Sequence, residues 1–378
     1  MIDTKQRPIR VLQVIGAMNL GGAESMIMNL YRKIDRTKVQ FDFLVQSADR
    51  CTFDDEIELL GGHVYRIKRF KGYNGVSFYK EASKFIKEHE EIQIIHGHIG
   101  SSAALYLSAA KKEGIYTIAH SHSADIIRNI HDIAYKFFSY PTRYIADALF
   151  GCSTEAGIAR YGKRTVKKAN YANFHNAIDL SVFLYDKELR VKTRKELHID
   201  DEIVLAAIGR VTPQKNPQFI FRVFSDAIKK YDDVTCLWIG TGDKYDEYVA
   251  KVKAAGISDR LIMTGERTDI PRILQAIDGL ILPSLWEGLP VVAVEAQTAG
   301  VACLLSNTIS REAEISGLVE WESLNSQPSV WAERIVSLAK QNRKIRQSPI
   351  NDIQKNGYDI DTTAKWLCAF YLENAGRR

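Results

Sequence analysis

Two glutamates, Glu287 and Glu295, stand eight residues apart in LPSLWEGLPVVAVEAQTAG, residues 282–300. An apolar run ends at Leu282, a short loop carries Glu287, and Pro290 suits a helix N1 position, where a missing N–H costs nothing. A helix starting there offers free N–H groups and a positive dipole end, suited to phosphate or a sugar hydroxyl. Glu287 is placed to accept hydrogen bonds from sugar hydroxyls, and Glu295, in the second helical turn, from ribose hydroxyls. A second stretch, AAIGRVTPQKNPQF (residues 206–219), ends a strand at Gly209 and carries Arg210 and Lys215 in the loop before the next helix. Two cations at a strand end can neutralise a diphosphate leaving group. GxxxxGK[ST] is absent, so this is not a Walker loop. In VIGAMNLGGAES (residues 14–25) a strand leads through Gly21-Gly22 into a helix, and residues without a Cβ let backbone approach a ligand closely. Neither this loop nor Gly240-Thr241-Gly242 completes GxGxxG, which argues against a nicotinamide or flavin enzyme. Four histidines fall in two short pieces, His96-Gly-His98 and His120-Ser-His122, each ending an apolar run. No Asp, Glu or Cys completes a metal-ligand spacing such as HExxH, so orienting a sugar or phosphate is favoured over holding a metal.

These residues need elements that end together. Apolar runs predict strands at Ile9–Ile15, Phe41–Val45, Val64–Ile67, Ile92–His96, Tyr116–His120 and Ala148–Cys152, with helical patterns between them. Strands apolar on both faces and separated by helices imply a parallel sheet covered on two sides. Residues 176–200 are polar and charged and read as a pause. A second series follows, with strands at Ile203–Ile208, Thr235–Ile239, Leu261–Thr264, Gly279–Leu282 and Val301–Leu305. Residues 1–185 are therefore expected to form one domain and 186–358 a second. A C-terminal helix in 359–378 is free to pack back on the first domain. In doubly wound sheets, ligands bind outside the carboxyl ends of the strands.

A chain of 378 residues suits two such domains, and 46% hydrophobic with 26% charged residues excludes disorder and fibre. Five widely spaced cysteines, at 51, 152, 236, 303 and 368, suit buried thiols in a reducing compartment. The N-terminus lacks the apolar core of a signal peptide and no run is long enough to span a membrane. The expectation is a cytoplasmic protein. The first 180 residues hold the whole positive excess, with clusters at Arg66, Lys68, Arg69, Lys71 and at Arg160, Lys163, Arg164, Lys167, Lys168. Such clusters fit an anionic membrane surface or a phosphorylated acceptor. They lack the interleaved aromatics of nucleic-acid binders.

Together GGAE, GRVTPQKNP, IGTGD, TGERTDIPRIL and EGLPVVAVE make the chain resemble the retaining GT-B glycosyltransferases of family 4, closest to the branch building bacterial capsule and exopolysaccharide. The resemblance runs from about Ile9 to Tyr371. It implies two doubly wound Rossmann-like α/β domains facing across a cleft, 1–185 on the acceptor side and 186–358 binding the nucleotide sugar, and a nucleotide-diphosphate sugar donor, usually UDP-linked. The acceptor would be a saccharide or lipid-linked saccharide, and the enzyme would be peripheral on the inner face of the membrane. No metal or other cofactor is implied. By carry-over, Arg210 and Lys215 bind the diphosphate and Glu295 the ribose. Glu287 with the Gly288–Leu289 turn contacts the sugar, and Gly21 and Gly22 close on the phosphates. His120 contacts the donor sugar, with His98 and His122 as further contacts, and uracil lies near Arg267 and Thr268. Retention would proceed without a protein nucleophile, the diphosphate oxygen taking the acceptor proton. A sugar-nucleotide epimerase or a phosphorylase of the same fold is the alternative among enzymes. The phosphorylases are longer or carry a pyridoxal lysine motif not seen here. A non-catalytic sugar-nucleotide scaffold is the alternative outside them, and intact Arg210, Lys215, Glu287 and Glu295 argue against it.

Overall fold

A computed structural model describes residues 7–19, 21–122, 136–287 and 289–376. The chain divides into two compact units, one running to Ile178 and resuming at Gly357, the other spanning Asp179–Asn356. The sequence reading put these boundaries at 185 and 358.

The first unit is a seven-stranded parallel sheet in the order β3-β2-β1-β4-β5-β6-β7. Its strands are β1 Ile9–Ile15, β2 Val39–Val45, β3 Val64–Arg66, β4 Ile92–Gly97, β5 Tyr116–Ser121, β6 Ala148–Gly151 and β7 Tyr171–Asn173. Helices α1 Gly22–Lys33, α2 Asp54–Leu59, α3 Gly75–Glu88, α4 Gly100–Lys112, α5 Thr142–Ile145 and α6 Thr154–Tyr161 accompany them. The second unit is a six-stranded sheet in the order β10-β9-β8-β11-β12-β13. It is built from β8 Ile203–Ile208, β9 Val234–Ile239, β10 Leu261–Gly265, β11 Gly279–Leu282, β12 Ala302–Ser306 and β13 Val319–Glu322. Its helices are α7 Leu180–Phe183, α8 Lys187–Glu196, α9 Pro217–Lys230, α10 Tyr245–Ala254, α11 Ile270–Ala276, α12 Val291–Thr298, α13 Pro328–Arg343 and α14 Ile350–Lys355. Helix α15, Ile360–Asn374, then packs on α1 and β2 of the first unit.

Strand alternation explains the layers. Val11, Phe41 and Phe43 join Leu367 and Tyr371 of α15 on one face of the first sheet. Leu12 and Leu44 join Tyr106 and Leu107 of α4 on the other. Strand order reverses between β1 and β4 in the first unit and between β8 and β11 in the second. Crevices at such reversals are where open α/β sheets take ligands.

The polar stretch 176–200 is not a bare linker, because it contains α7 and α8. Arg190 and Arg194 are buried and reach Asp278, Arg190 at 2.5 Å and Arg194 at 3.4 Å. Arg190 also donates to the carbonyls of Gln275, Ala276 and Ile277 at 2.8, 3.0 and 3.2 Å, at the end of α11. A helix C-terminus with unpaired carbonyls attracts cations, so charge here marks an anchored helix. The short edge strands β7 and β13 and helix α13 are further elements the sequence reading did not name.

Candidate active site

In the second unit the loop after β8 and the loop after β11 meet at the strand-order reversal. Gly209 turns out of β8 at φ +141°, and Gly240, at φ +127°, lies so close that a Cβ on it would strike the Gly209 carbonyl. Only glycine tolerates both the angle and the approach. Lys215 ends a tight turn, Pro213–Lys215, and Asn216, at φ 57°, swings the chain into α9. The Lys215 stem folds back beneath Gly209, where a Cβ would sit 3.1 Å from its Cε. Its ammonium pairs with the Glu287 carboxylate, which also accepts from Ser284 Oγ at 2.9 Å. The Leu285 N–H donates to the Gln214 carbonyl at 2.8 Å, and Gln214 Nε2 donates to the Trp286 carbonyl at 3.0 Å. Two loops 72 residues apart in sequence are thereby laced together. Arg210 is exposed and makes no ion pair among the described residues.

Pro290 is not at N1 as the sequence suggested. Its φ −73° and ψ 107° are extended, its carbonyl accepts from the Ala293 N–H at 3.0 Å, and α12 begins at Val291. Glu295 remains in the second turn of α12. Its side chain makes no hydrogen bond or ion pair among the described residues, and burial pushes its carboxyl up from 4.5 to about 7. Leu289 is partly buried, whereas Gly288 lies outside the described residues. Arg267 is tied to Asp269 by two contacts of 2.8 and 2.7 Å, with Thr268 exposed beside it.

In the first unit the ends of β4 and β5 bring all four histidines into one stack, which the two separate His-X-His pieces did not reveal. Ring centroids lie 4.4 Å apart for His96 and His98, 5.3 Å for His96 and His120, 5.0 Å for His98 and His122, and 4.1 Å for His120 and His122. His96 Nε2 is 3.2 Å from His120 Nδ1, and His98 Nδ1 is 2.7 Å from His122 Nε2. Two residues to which the sequence reading gave no role complete the cluster. Tyr371 of α15 meets His96 Nδ1 at 2.6 Å, and Gln13 of β1 meets His98 Nε2 at 2.8 Å. Burial lowers all four imidazoles, His96 and His122 to about 3, so each ring is neutral. His96, His98 and His120 present nitrogens within 4.8 Å of one another and are the described residues that could hold a metal ion. No acidic or thiol group among the described residues joins them, and an ion would displace the hydrogen bonds just described.

Gly21 caps α1 in extended conformation, and a Cβ on it would meet the Glu24 carboxylate. A Cβ on Gly22 would meet nothing. Arg160 does not belong to a surface basic cluster: it is buried and donates to the His120 carbonyl oxygen. Lys163, Arg164, Lys167 and Lys168 are exposed, as are Lys68, Arg69 and Lys71. Arg66 pairs with Asp54. Among the described residues no helix is long and apolar enough to cross a membrane.

Two parallel Rossmann-like sheets, each with its candidate groups at a strand-order reversal, define the GT-B class of glycosyltransferases. Residues 20–181 match the model "Glycosyltransferase Family 4" and residues 190–355 the model "Glycosyl transferases group 1". The Bacillus subtilis protein named as glycosyltransferase EpsF is 30% identical over 368 residues, 96% of each chain. The capsular polysaccharide biosynthesis glycosyltransferase CapH of Staphylococcus aureus is 24% identical over 378 residues, 96% of this chain and 99% of CapH. An Escherichia coli galactosyltransferase acting from UDP-Gal on α-D-GlcNAc-diphosphoundecaprenol is 26% identical over 247 residues, 61% of each chain. The fold matches Anabaena HepE in complex with UDP at TM-score 0.76 and 16% identity, over 96% of this chain and 100% of that one. The chain belongs to this glycosyltransferase family and is a GT-B glycosyltransferase.

Proposed function

We propose that the enzyme moves a sugar from a UDP-linked donor to a saccharide or lipid-linked saccharide acceptor in bacterial surface polysaccharide synthesis, with retention at the anomeric carbon. The relatives' names support the donor, the acceptor class and the setting. The observation that carries the chemistry is the Lys215–Glu287 pair beside an unpaired Arg210 at the β8/β11 reversal.

An incoming diphosphate brings negative charge to a lysine already held by one carboxylate. Lys215 and Arg210 stabilise the charge that grows on the leaving diphosphate, and Glu287, released from Lys215, accepts hydrogen bonds from the donor sugar. Ser284 keeps one Glu287 oxygen oriented while the pair opens. Glu295 accepts from the ribose hydroxyls, the Arg267–Thr268 backbone receives the uracil, and Gly21 and Gly22 leave room for phosphate. The departing diphosphate oxygen takes the acceptor's proton as the acceptor hydroxyl attacks on the same face, so no protein nucleophile is required. The reaction is assigned no metal and no further cofactor. His120 receives a sugar hydroxyl and His122 completes that contact, while both ring nitrogens of His98 are taken by Gln13 and His122.

Lys215→Ala tests the reading. Loss of a charge contact that strengthens as the bond breaks is expected to lower turnover by about 10²–10³ at saturating donor. Near-normal turnover would remove Lys215 from the reaction.

A further inference from the structure

We infer that Gln13 fixes the protons of the four-histidine stack so that His120 and His122 present one donor and one acceptor to a single substrate hydroxyl. The hydroxyl half of this inference rests on the reading of the stack as a sugar contact.

Each neutral imidazole carries one N–H and one bare nitrogen, so a hydrogen bond at one nitrogen dictates the role of the other. Gln13 Nε2 donates to the Tyr371 oxygen at 3.4 Å. Tyr371 therefore gives its own proton to His96 Nδ1 at 2.6 Å. The His96 proton then sits on Nε2 and is donated to His120 Nδ1 at 3.2 Å, which leaves the His120 proton on Nε2. From the other end of the amide, Gln13 Oε1 accepts from His98 Nε2–H at 2.8 Å. His98 Nδ1 is then bare and accepts from His122 Nε2–H at 2.7 Å, which leaves His122 Nδ1 bare.

The two chains end at His120 Nε2 and His122 Nδ1, and both atoms are buried without a partner among the described residues. Turning the Gln13 amide over would reverse every proton and exchange the two ends, yet one end would still donate and the other accept. The complementarity comes from the amide itself, which has one donor end and one acceptor end. Buried polar atoms without partners are costly, and a hydroxyl satisfies a donor and an acceptor together. A fluorine or a methoxy oxygen in its place satisfies only the donor. Gln13, His96, His98 and Tyr371 are positioning residues: they act through His120 and His122.

Gln13→Glu separates the relay from mere packing. Once ionised, at a pH above the raised pKa of a buried carboxyl, a carboxylate accepts at both ends, so Tyr371 must turn its proton toward residue 13 and accept from His96 Nδ1. His120 then protonates at Nδ1 and exposes a bare Nε2, while His122 is unchanged. Imidazole nitrogen-15 spectra of the whole chain read these states directly. The wild type is expected to show one fixed tautomer on every ring of the stack, with His120 Nε2 and His122 Nδ1 in opposite states, and Gln13→Glu to move the proton only on His96 and His120. Mixed tautomers in the wild type would overturn the relay without any variant, and Tyr371→Phe, expected to unlock only His96 and His120, covers a Gln13 variant that fails to fold. For function, the probe is whichever of UDP-glucose, UDP-galactose and their N-acetylamino forms most raises the melting temperature. Its kcat/KM is expected to fall by roughly 5- to 100-fold in Gln13→Glu, with UDP affinity unchanged. Shifted tautomers with unchanged kcat/KM would overturn the hydroxyl contact and assign the two orphan atoms to water. If no UDP-sugar binds the wild type, the donor reading fails and takes the hydroxyl contact with it, while the spectra still decide the relay.

Discussion

Glu295 shows how one residue ties the site to pH. Burial holds its carboxyl near 7 instead of 4.5. The native state thus keeps a proton that the unfolded chain releases, so this group's contribution to stability falls as pH rises from about 4.5 to about 7. If ribose hydroxyls bind the ionised carboxylate, as proposed, that preference reverses and UDP binding below about pH 7 should expel a proton. UDP affinity should weaken as pH falls through this range, by at most about tenfold per pH unit. Calorimetry at pH 6 in buffers of different ionisation enthalpy counts the protons. Because the terminal phosphate of UDP also titrates near 6, the informative quantity is the difference from Glu295→Gln. Equal proton counts for the two proteins would detach Glu295 from the nucleotide. At this scale sequence spacing made the individual charged groups legible. It did not reveal the Lys215–Glu287 pair, nor Gln13 with Tyr371, whose side chains meet across 358 residues of chain.

At the scale of elements, the start of α1 separates structural from functional glycine. A Cβ on Gly22 meets no atom of the protein, and the residue opens a helix. Alanine favours helix over glycine by up to about 1 kcal/mol, so Gly22→Ala should keep or raise the melting temperature. If phosphate approaches the backbone there, the same variant should lose donor affinity. Full donor affinity would show that nothing approaches Gly22. The central strands were legible because buried parallel strands are apolar on both faces: β8 is buried along its whole length. The edge strand β7, three residues long, carries no such run. Helix α8 was hidden for a different reason. Its buried side chains are Arg190, Thr193 and Arg194, so the face that packs has the composition of a solvated one.

Over the whole molecule, two Rossmann-like units follow from a repeated strand–helix rhythm, and the sequence carries that rhythm clearly. The positive excess stays in the first 180 residues. With Arg160 buried and Arg66 paired with Asp54, seven other exposed cations remain in the two clusters: Lys68, Arg69, Lys71, Lys163, Arg164, Lys167 and Lys168. We propose that they meet an anionic lipid surface. Co-sedimentation should show binding to anionic vesicles that fades as salt rises, because exposed charges are screened over about 10 Å at 0.1 M salt. Equal partition onto neutral vesicles would reduce both clusters to ordinary solvated charge.

We propose that labour divides along the chain, with nucleotide held by residues of the second unit and sugar hydroxyl by the histidines of the first. Titration calorimetry of UDP onto the wild type, Glu295→Ala and His120→Ala, each as the 378-residue chain, tests it most directly. Glu295→Ala should weaken UDP binding by about 1.5–3 kcal/mol, roughly 10- to 150-fold, as ribose hydroxyls lose a charged acceptor. His120→Ala should leave UDP affinity unchanged. A His120 variant that loses UDP as severely as the Glu295 variant, or a Glu295 variant that keeps full affinity, would contradict that division.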